Sequence, residues 1–394
     1  MKKIRSLATL IICIVSSPVF SQNKGEDDTF RLENRKFEFG LYAEAGFAND
    51  FLTALDFFQE TVTIDLDNFK NGLRMDVGLN VSPFFFNYNQ DDDWGFGFFI
   101  KAEAAGNLAI SGKMLTLSQG DREKSNVGAA LFADIGLLGF FHIKKLKITF
   151  SPSRFFPIMY SQPDISYTYT SKTAPDGTEL TEMNLEYDVK LFSAFNLESF
   201  HNLTPDVGLD FGLGLEYPLF SMLDLGIDMI HIPLVPAILR NFMRIKGSAS
   251  VGDTVDIINI DMESLFSFDS DDIEYGIGRQ TIIRPLKMLV FADFHPFQSK
   301  ILSFRPRAGF SYNPLFLQPF SPEYGLKMRL DLLNIFIASL SVHYEDRLWK
   351  NSIALALNFR VIQIDLGVTF QSQDFIKSWQ GGGLGALVGL KFGL

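Results

Sequence analysis

Ser339, Ser341 and His343 occupy alternate positions around Leu340 and Val342. An extended chain therefore sets two hydroxyls and an imidazole on one face, the spacing at which an oxygen nucleophile and a neighbouring base could act. Ordinary polar lining of a wet interior explains the same pattern more simply, so no catalytic residue is assigned and no enzyme activity is expected. Of the remaining histidines, His142, His201, His231 and His295, none stands four residues from another or beside a carboxylate in a ligand motif, so no metal is expected. Asp91, Asp92 and Asp93, like Asp269, Asp271 and Asp272, read as solvated loop charge rather than a calcium loop. Gly212 and Gly214, or Gly381 to Gly383, lack the helix and acidic partner of a nucleotide fold, which leaves no cofactor implied.

The elements that would position such residues are strands. Segment 324–332 sets Leu326, Met328 and Leu330 against Lys327, Arg329 and Asp331, and segment 73–81 sets Leu73, Met75 and Val77 against Arg74 and Asp76. One face suits lipid and the other a wet lumen, with about ten residues per segment, the length a tilted membrane-spanning strand needs. Arg74, Asp76, Lys327, Arg329, Asp331, Ser341 and His343 are accordingly the candidate lumen-lining residues. The same period marks segments 36–47, 94–104, 127–137, 146–150, 159–171, 181–192, 207–215, 223–229, 286–294, 304–312, 336–344, 353–359, 362–370 and 384–392. The fold class expected is all-β, a transmembrane antiparallel β-barrel of about 14 strands, within 12 to 16, because single-chain bacterial barrels favour even numbers. A soluble β-sandwich, the competing reading, would leave both the strand lengths and an export leader unexplained.

That leader is residues 1–21. Lys2, Lys3 and Arg5 precede an apolar run from Leu7 to Val15, and Val19 and Ser21 supply small residues for cleavage between Ser21 and Gln22. Cys13, the one cysteine, lies inside the run and leaves with it, so no disulfide or thiolate chemistry is expected of the mature chain. Loss of three cations takes the formal charge from −11 to −14, which argues against nucleic acid as a partner. The chain holds 41 Phe and 31 Gly without a further helix-length apolar stretch; segment 229–239 comes nearest and is broken by His231, Pro233 and Pro236. The expected organisation is a leader (1–21), an N-terminal extension (22–35) and a barrel (36–394) with outer-membrane lipid around it.

Aromatic groups are expected to girdle the barrel at the headgroups: Phe84, Phe85, Phe86 and Tyr88; Phe155, Phe156 and Tyr160; Phe316 and Phe320. Four stretches break the alternation and are expected to form loops or helical plug segments: 50–70, 107–125 as a short amphipathic helix, 195–206, and a long insertion at 231–284. Backbone without ladder partners must lie outside the bilayer or within the lumen. A barrel of this size encloses more space than its own side chains fill, and segments 50–70 and 229–239 are expected to narrow it.

The last strand alternates Leu384, Ala386, Val388, Leu390 and Phe392 with Gly385, Leu387, Gly389 and Lys391. Gly389, Phe392 and Leu394 resemble the signal read by the bacterial barrel-assembly machinery, with Leu in the final place. Segments 207–217 (VGLDFGLGLEY) and 283–296 (IRPLKMLVFADFHP) resemble a barrel family akin to FadL-type long-chain fatty-acid transporters, although the Asn-Pro-Ala hatch of that type is absent. The resemblance implies a channel or transporter for hydrophobic or small solutes, including long-chain fatty acids. The alternatives carried beside it are a surface-exposed interaction barrel and, on Ser341 and His343 alone, a lipid esterase.

Overall fold

The computed structural model describes residues 36–49, 73–90, 93–110, 122–161, 164–173, 179–197, 206–251, 267–297, 301–316 and 318–393. The leader with its Ser21–Gln22 cleavage, the N-terminal extension up to residue 35, the plug expected at 50–70 and Leu394 lie outside the described residues.

Eighteen strands and one short helix follow one another: β1 (Phe37–Asn49), β2 (Leu73–Gln90), β3 (Trp94–Ile110), β4 (Arg122–Ile143), β5 (Leu146–Ser161), β6 (Asp164–Thr173), β7 (Glu179–Ser193), β8 (Gly208–Phe220), β9 (Leu223–Val235), β10 (Ala237–Val251), β11 (Ser267–Ile282), β12 (Leu286–Phe294), β13 (Leu302–Tyr312), β14 (Phe320–Leu332), β15 (Phe336–Glu345), β16 (Leu348–Phe359), β17 (Ile362–Ser372), α1 (Phe375–Trp379) and β18 (Gly383–Gly393). Fourteen of the strands close an antiparallel ring: β1 to β5 in turn, then β8, β9, and β12 to β18, with β18 returning to β1. Closure leaves no edge in the ring, which is how strands can cross lipid without unpaired amides.

Alternation decides which face meets lipid. On β14, Leu326 and Met328 are exposed while Lys327 and Arg329 are half-buried; on β17, Ile364 and Leu366 are exposed while Gln363 and Asp365 are buried. Phe39 and Leu41 on β1, Val290 on β12 and Val388 on β18 continue the outward apolar band. Tyr324, Tyr344, Trp349 and Phe375 stack on one another with ring centroids 4.8–5.5 Å apart, an aromatic group of the kind that favours a headgroup boundary. Phe155, Tyr160 and Phe316 belong to no such girdle: all three are buried inside the barrel, because strand alternation turns Phe155 and Tyr160 inward and the β13–β14 connection folds into the lumen.

One rim carries connections of two to seven residues, including the two-residue Lys144–Lys145 connection of β4 to β5, and both described ends of the ring, Phe37 and Gly393, lie there. The connections longest in sequence lie at the other rim. An exception there is the two-residue turn Asp346–Arg347, where both residues have positive φ (49° and 67°), the hairpin geometry that matches strand twist.

Strands β2 to β5 run 16 to 22 residues, against 9 to 13 for β12 to β15, so one side of the wall stands above the long-loop rim. Strands outside the ring continue that side: β6 pairs with the upper end of β4, β7 with β6 and the upper end of β5, β10 with β7, and β11 with β10. Two sequence expectations are corrected here. Residues 237–251 and 267–282 of the 231–284 insertion are strands that pair with each other, and β10 with β7, above the ring, and segment 159–171 is not one strand but the end of β5 followed by β6. The helix expected over 107–125 meets strand at both ends, residues 107–110 in β3 and 122–125 in β4; the rest lies outside the described residues.

Candidate functional site: a cross-braced lumen

A strand is extended only while its side chains alternate, and at the β9–β12 and β11–β12 junctions that alternation breaks. His231 adopts φ 55°, a left-handed conformation costly for a residue with a Cβ, where the β8–β9 register slips between Leu213–Met229 and Phe211–Ile232. Its Nδ1 lies 3.0 Å from the carbonyl of Pro285, and the bulge turns the following chain inward, so that Ala237 and Leu239 at the start of β10 are fully buried. Residues 229–235 stay in the wall as β9; of the segment expected to narrow the lumen, Ala237 and Leu239 do enter it.

Next to that bulge Arg284 lies wholly buried between β11 and β12. Its Nε donates to Asp210 Oδ2 at 2.6 Å and its Nη2 to Asp210 Oδ1 at 2.8 Å, a bidentate pair with β8. Nη1 donates to Asp134 of β4 at 2.6 Å, Nη2 to Ser153 Oγ of β5 at 2.7 Å, and Glu103 of β3 stands 3.8 Å away. Ser153 also donates to Asp210, and Lys101 pairs with Glu103. The guanidinium lies 5.2 Å from the centre of the Phe155 ring. One cation thus ties the root of the insertion to four strands of the ring.

A second brace joins β12 to β16. Lys287 pairs with Glu345 and stands 3.3 Å from Asp346 and 3.4 Å from Glu323, and Arg307 and Lys350 stand 3.5 and 3.6 Å from the other Glu345 oxygen. A third reaches across the lumen: Arg74 of β2 pairs with Asp76 and donates to the carbonyl of Asp346 at 2.7 Å, with the Phe316 ring 5.1 Å from its guanidinium. Phe316 arrives there because the β13–β14 connection dips inward, held by Asn126 donating to the carbonyl of Leu315 at 2.9 Å and Tyr160 to that of Pro314 at 3.2 Å. Between the braces an apolar cluster gathers Ala130, Phe132, Phe155, Tyr160, Phe192, Leu239, Ile282 and Leu315.

The structure distributes the residues singled out from sequence among these features. Arg74 and Asp76 form the third brace; Arg329 donates to Asp331 at 2.9 Å; Lys327 and Ser341 are register partners on β14 and β15. Ser341 and His343 are buried on β15, with the His343 ring against Gly325, where an added Cβ would come within 2.1 Å of it. Gly389 and Phe392 lie in the last two strand pairings, opposite Tyr42 and Phe39 of β1. Arg284, Asp134, Asp210, Lys287 and Glu345 were missed: sequence alternation marks an inward position but not which inward charges meet across the lumen. Among the described residues no cluster of His, Cys, Asp or Glu could hold a metal ion. On the projecting sheet, Arg244 of β10 donates to Asp188 of β7 at 2.7 and 2.5 Å, and this hydrogen-bonded guanidinium holds the Asp188 carboxyl below the usual carboxylate range.

Ring, outward apolar band and cross-braced interior define a membrane-spanning β-barrel with an obstructed lumen. No family profile and no curated protein matches the sequence. Among solved structures, the toluene transporter TodX of Pseudomonas putida aligns over 97% of this chain and 93% of its own, at 11% identity and a TM-score of 0.50. A second structure of that transporter covers 96% of each chain at 10% identity, and its deltaS2S3 mutant, described as a monoaromatic hydrocarbon channel, 96% of each at 12%, both with a TM-score of 0.50. At such identities the likeness is one of fold.

Proposed function

We propose that the chain is an outer-membrane channel that admits small hydrophobic solutes from the long-loop side. The observation that carries this reading is the apolar cluster inside the barrel, from Phe132 and Phe155 on the wall to Leu239 and Ile282 on the insertion. A water-filled pore has no use for buried rings along its path, whereas a hydrophobic solute leaving water gains by resting among them. The shared fold with a toluene transporter supports the same direction. Bacterial barrels keep short turns on the periplasmic side and long loops outside, which puts the insertion at the cell surface and Phe37 and Gly393 in the periplasm. Delivery there requires the leader ending at Ser21 and insertion by the barrel-assembly machinery through the last strand, with Gly389, Phe392 and Leu394 as its signal. Arg74, Asp76, Lys327, Arg329, Asp331, Ser341 and His343 line the remaining path.

The test is uptake by the refolded chain in lipid vesicles, with toluene and a long-chain fatty acid as separate solutes and arabinose as a polar control. Uptake of either hydrophobe above protein-free vesicles, with arabinose excluded, is expected; equal entry of arabinose, or none of any solute by a folded barrel, would overturn the reading.

A further inference from the structure

The lumen is crossed by a piece of chain that belongs to no strand. Between β13 and β14 the connection, described at residues 313–316 and 318–319, leaves the wall and reaches β4, although β12, β9, β8 and β5 lie between β13 and β4 around the ring. Its backbone is closed on itself. The Asn313 amide donates to the Pro319 carbonyl at 2.8 Å, the Phe316 amide to the Asn313 carbonyl at 3.2 Å, and the Leu315 amide to Asn313 Oδ1 at 3.1 Å. With φ fixed at Pro314 and Pro319, such a turn keeps its shape and moves as one piece.

The two ends of this turn are held unequally. At its base the Phe316 ring lies 5.1 Å from the Arg74 guanidinium and 5.6 Å from that of Arg347, and Arg347 donates to the Gln318 carbonyl at 2.5 Å. At its tip the holds among the described residues are neutral hydrogen bonds, from Tyr160 to the Pro314 carbonyl at 3.2 Å and from Asn126 to the Leu315 carbonyl at 2.9 Å, each of modest net strength. Gly128 of β4 permits the close approach: a Cβ there would come within 2.8 Å of the Leu315 carbonyl and 3.3 Å of the Leu315 Cβ, so a larger residue would push the tip off the wall.

Leu315 is buried in the same apolar cluster as Phe132, Phe155 and Leu239, on which the channel reading rests. A leucine of the protein thus occupies the surroundings that an apolar solute would seek. Building on that reading, we propose that the space filled by the Leu315 side chain is the solute's binding site, and that the tip Pro314–Leu315 bars the path until the solute takes that place. Size sets the ligand class: a leucine leaving an apolar site vacates a space that stays dry and accepts a benzene-sized guest, so monocyclic hydrocarbons fit and sugars do not. The solute binds only with the tip withdrawn, and this difference in affinity is what shifts the turn from closed to open.

The experiment uses the full chain with Cys13→Ser in lipid vesicles, with heat-modifiable migration reporting the folding of each variant. Leu315→Cys should react slowly with a water-soluble maleimide and several times faster when toluene is present, whereas Ala356→Cys, fully buried on β16, should show no such acceleration. Gly128→Cys with Leu315→Cys should cross-link on mild oxidation, since a Cβ at 128 lies 3.3 Å from that of 315, within a few tenths of an ångström of disulfide spacing. The oxidised pair should lose toluene uptake and regain it with reductant. Leu315→Ala should raise uptake on the order of tenfold, because the shortened side chain empties the site and loosens the tip. If the parent takes up toluene, the inference is overturned by a Leu315→Cys labelling rate that toluene leaves unchanged, by equal uptake through the oxidised and reduced pair, or by a Leu315→Ala barrel no faster than the parent; the channel reading survives each of these. A pair that does not cross-link would show that the tip does not rest on β4 and would overturn it as well. Toluene taken up by none of the folded forms would remove the channel reading and this inference with it.

Discussion

Arg284 is the residue on which most of the interior geometry depends. With Asp210, Asp134 and Ser153 it makes four hydrogen bonds of 2.6–2.8 Å in a fully buried setting, where removing one partner leaves the others charged and unpaired. Arg284→Met should destabilise the barrel by about 3–5 kcal/mol, read as a lower urea midpoint or a lower temperature of the heat-modifiable shift. Arg284→Lys keeps the charge but loses the bidentate contact to Asp210, and should fall between the two. An Arg284→Met barrel as stable as the parent would show that Asp134 and Asp210 find other partners. The sequence held a trace of this: the two segments that resemble the FadL-related family, 207–217 and 283–296, contain Asp210 and Arg284 respectively. Nothing in their spacing, 74 residues apart, indicated that they touch. His343 alternates with Ser341 as the sequence indicates, and its ring packs on Gly325, a neighbour that the sequence did not single out.

At the scale of the strand, alternation carried nearly everything. Each of the fourteen ring strands overlaps one of the segments read from the sequence, because a wall with lipid on one side and polar groups on the other leaves a period of two in every strand. Met328 tests the face assignment: Met328→Arg places a guanidinium on the outward face of β14 and should cost about 2–4 kcal/mol of insertion if it sits near the midplane, with smaller effects toward either rim. Unchanged heat-modifiable migration would count against that face. Strands β10 and β11 escaped notice for a physical reason. They lie outside the ring, β10 is buried toward the barrel at Met243 and Ile245 while bearing Arg244 and Lys246 at the alternate positions, and β11 begins in an acidic run that reads as loop. Their joint with β7 is also where acidity should act. Because Arg244 depresses the Asp188 carboxyl, the pair contributes above the ordinary carboxylate range, and the contribution is lost as pH falls through the lowered value. Both side chains are about one-third exposed, so the effect should be small and local: lower amide protection at β7–β10, measured against the intrinsic exchange rate at each pH, near pH 3 than at pH 6, without unfolding of the ring.

For the whole molecule, the question is whether ring and insertion are separable. The fourteen ring strands pair with one another continuously, and β10 and β11 contribute to none of those ladders. What they contribute to the interior is Ala237, Leu239 and Ile282, which meet Phe132 and Phe155 from the wall. Phe155 was expected in a girdle on sequence grounds, since an interface ring and a lumenal ring have the same composition and only the direction of the side chain distinguishes them. Replacing residues 237–282 with a short glycine linker, while keeping Arg284, should therefore leave a barrel that still inserts and shifts on heating, because the brace to Asp134 and Asp210 and every ring ladder remain. Its unitary conductance in a planar bilayer should exceed that of the parent, and its discrimination between toluene and arabinose should fall, because the apolar rest between the braces has lost its inner half. A conductance equal to the parent's would mean that the β13–β14 connection with Leu315 and Phe316, rather than the insertion, sets the width of the path.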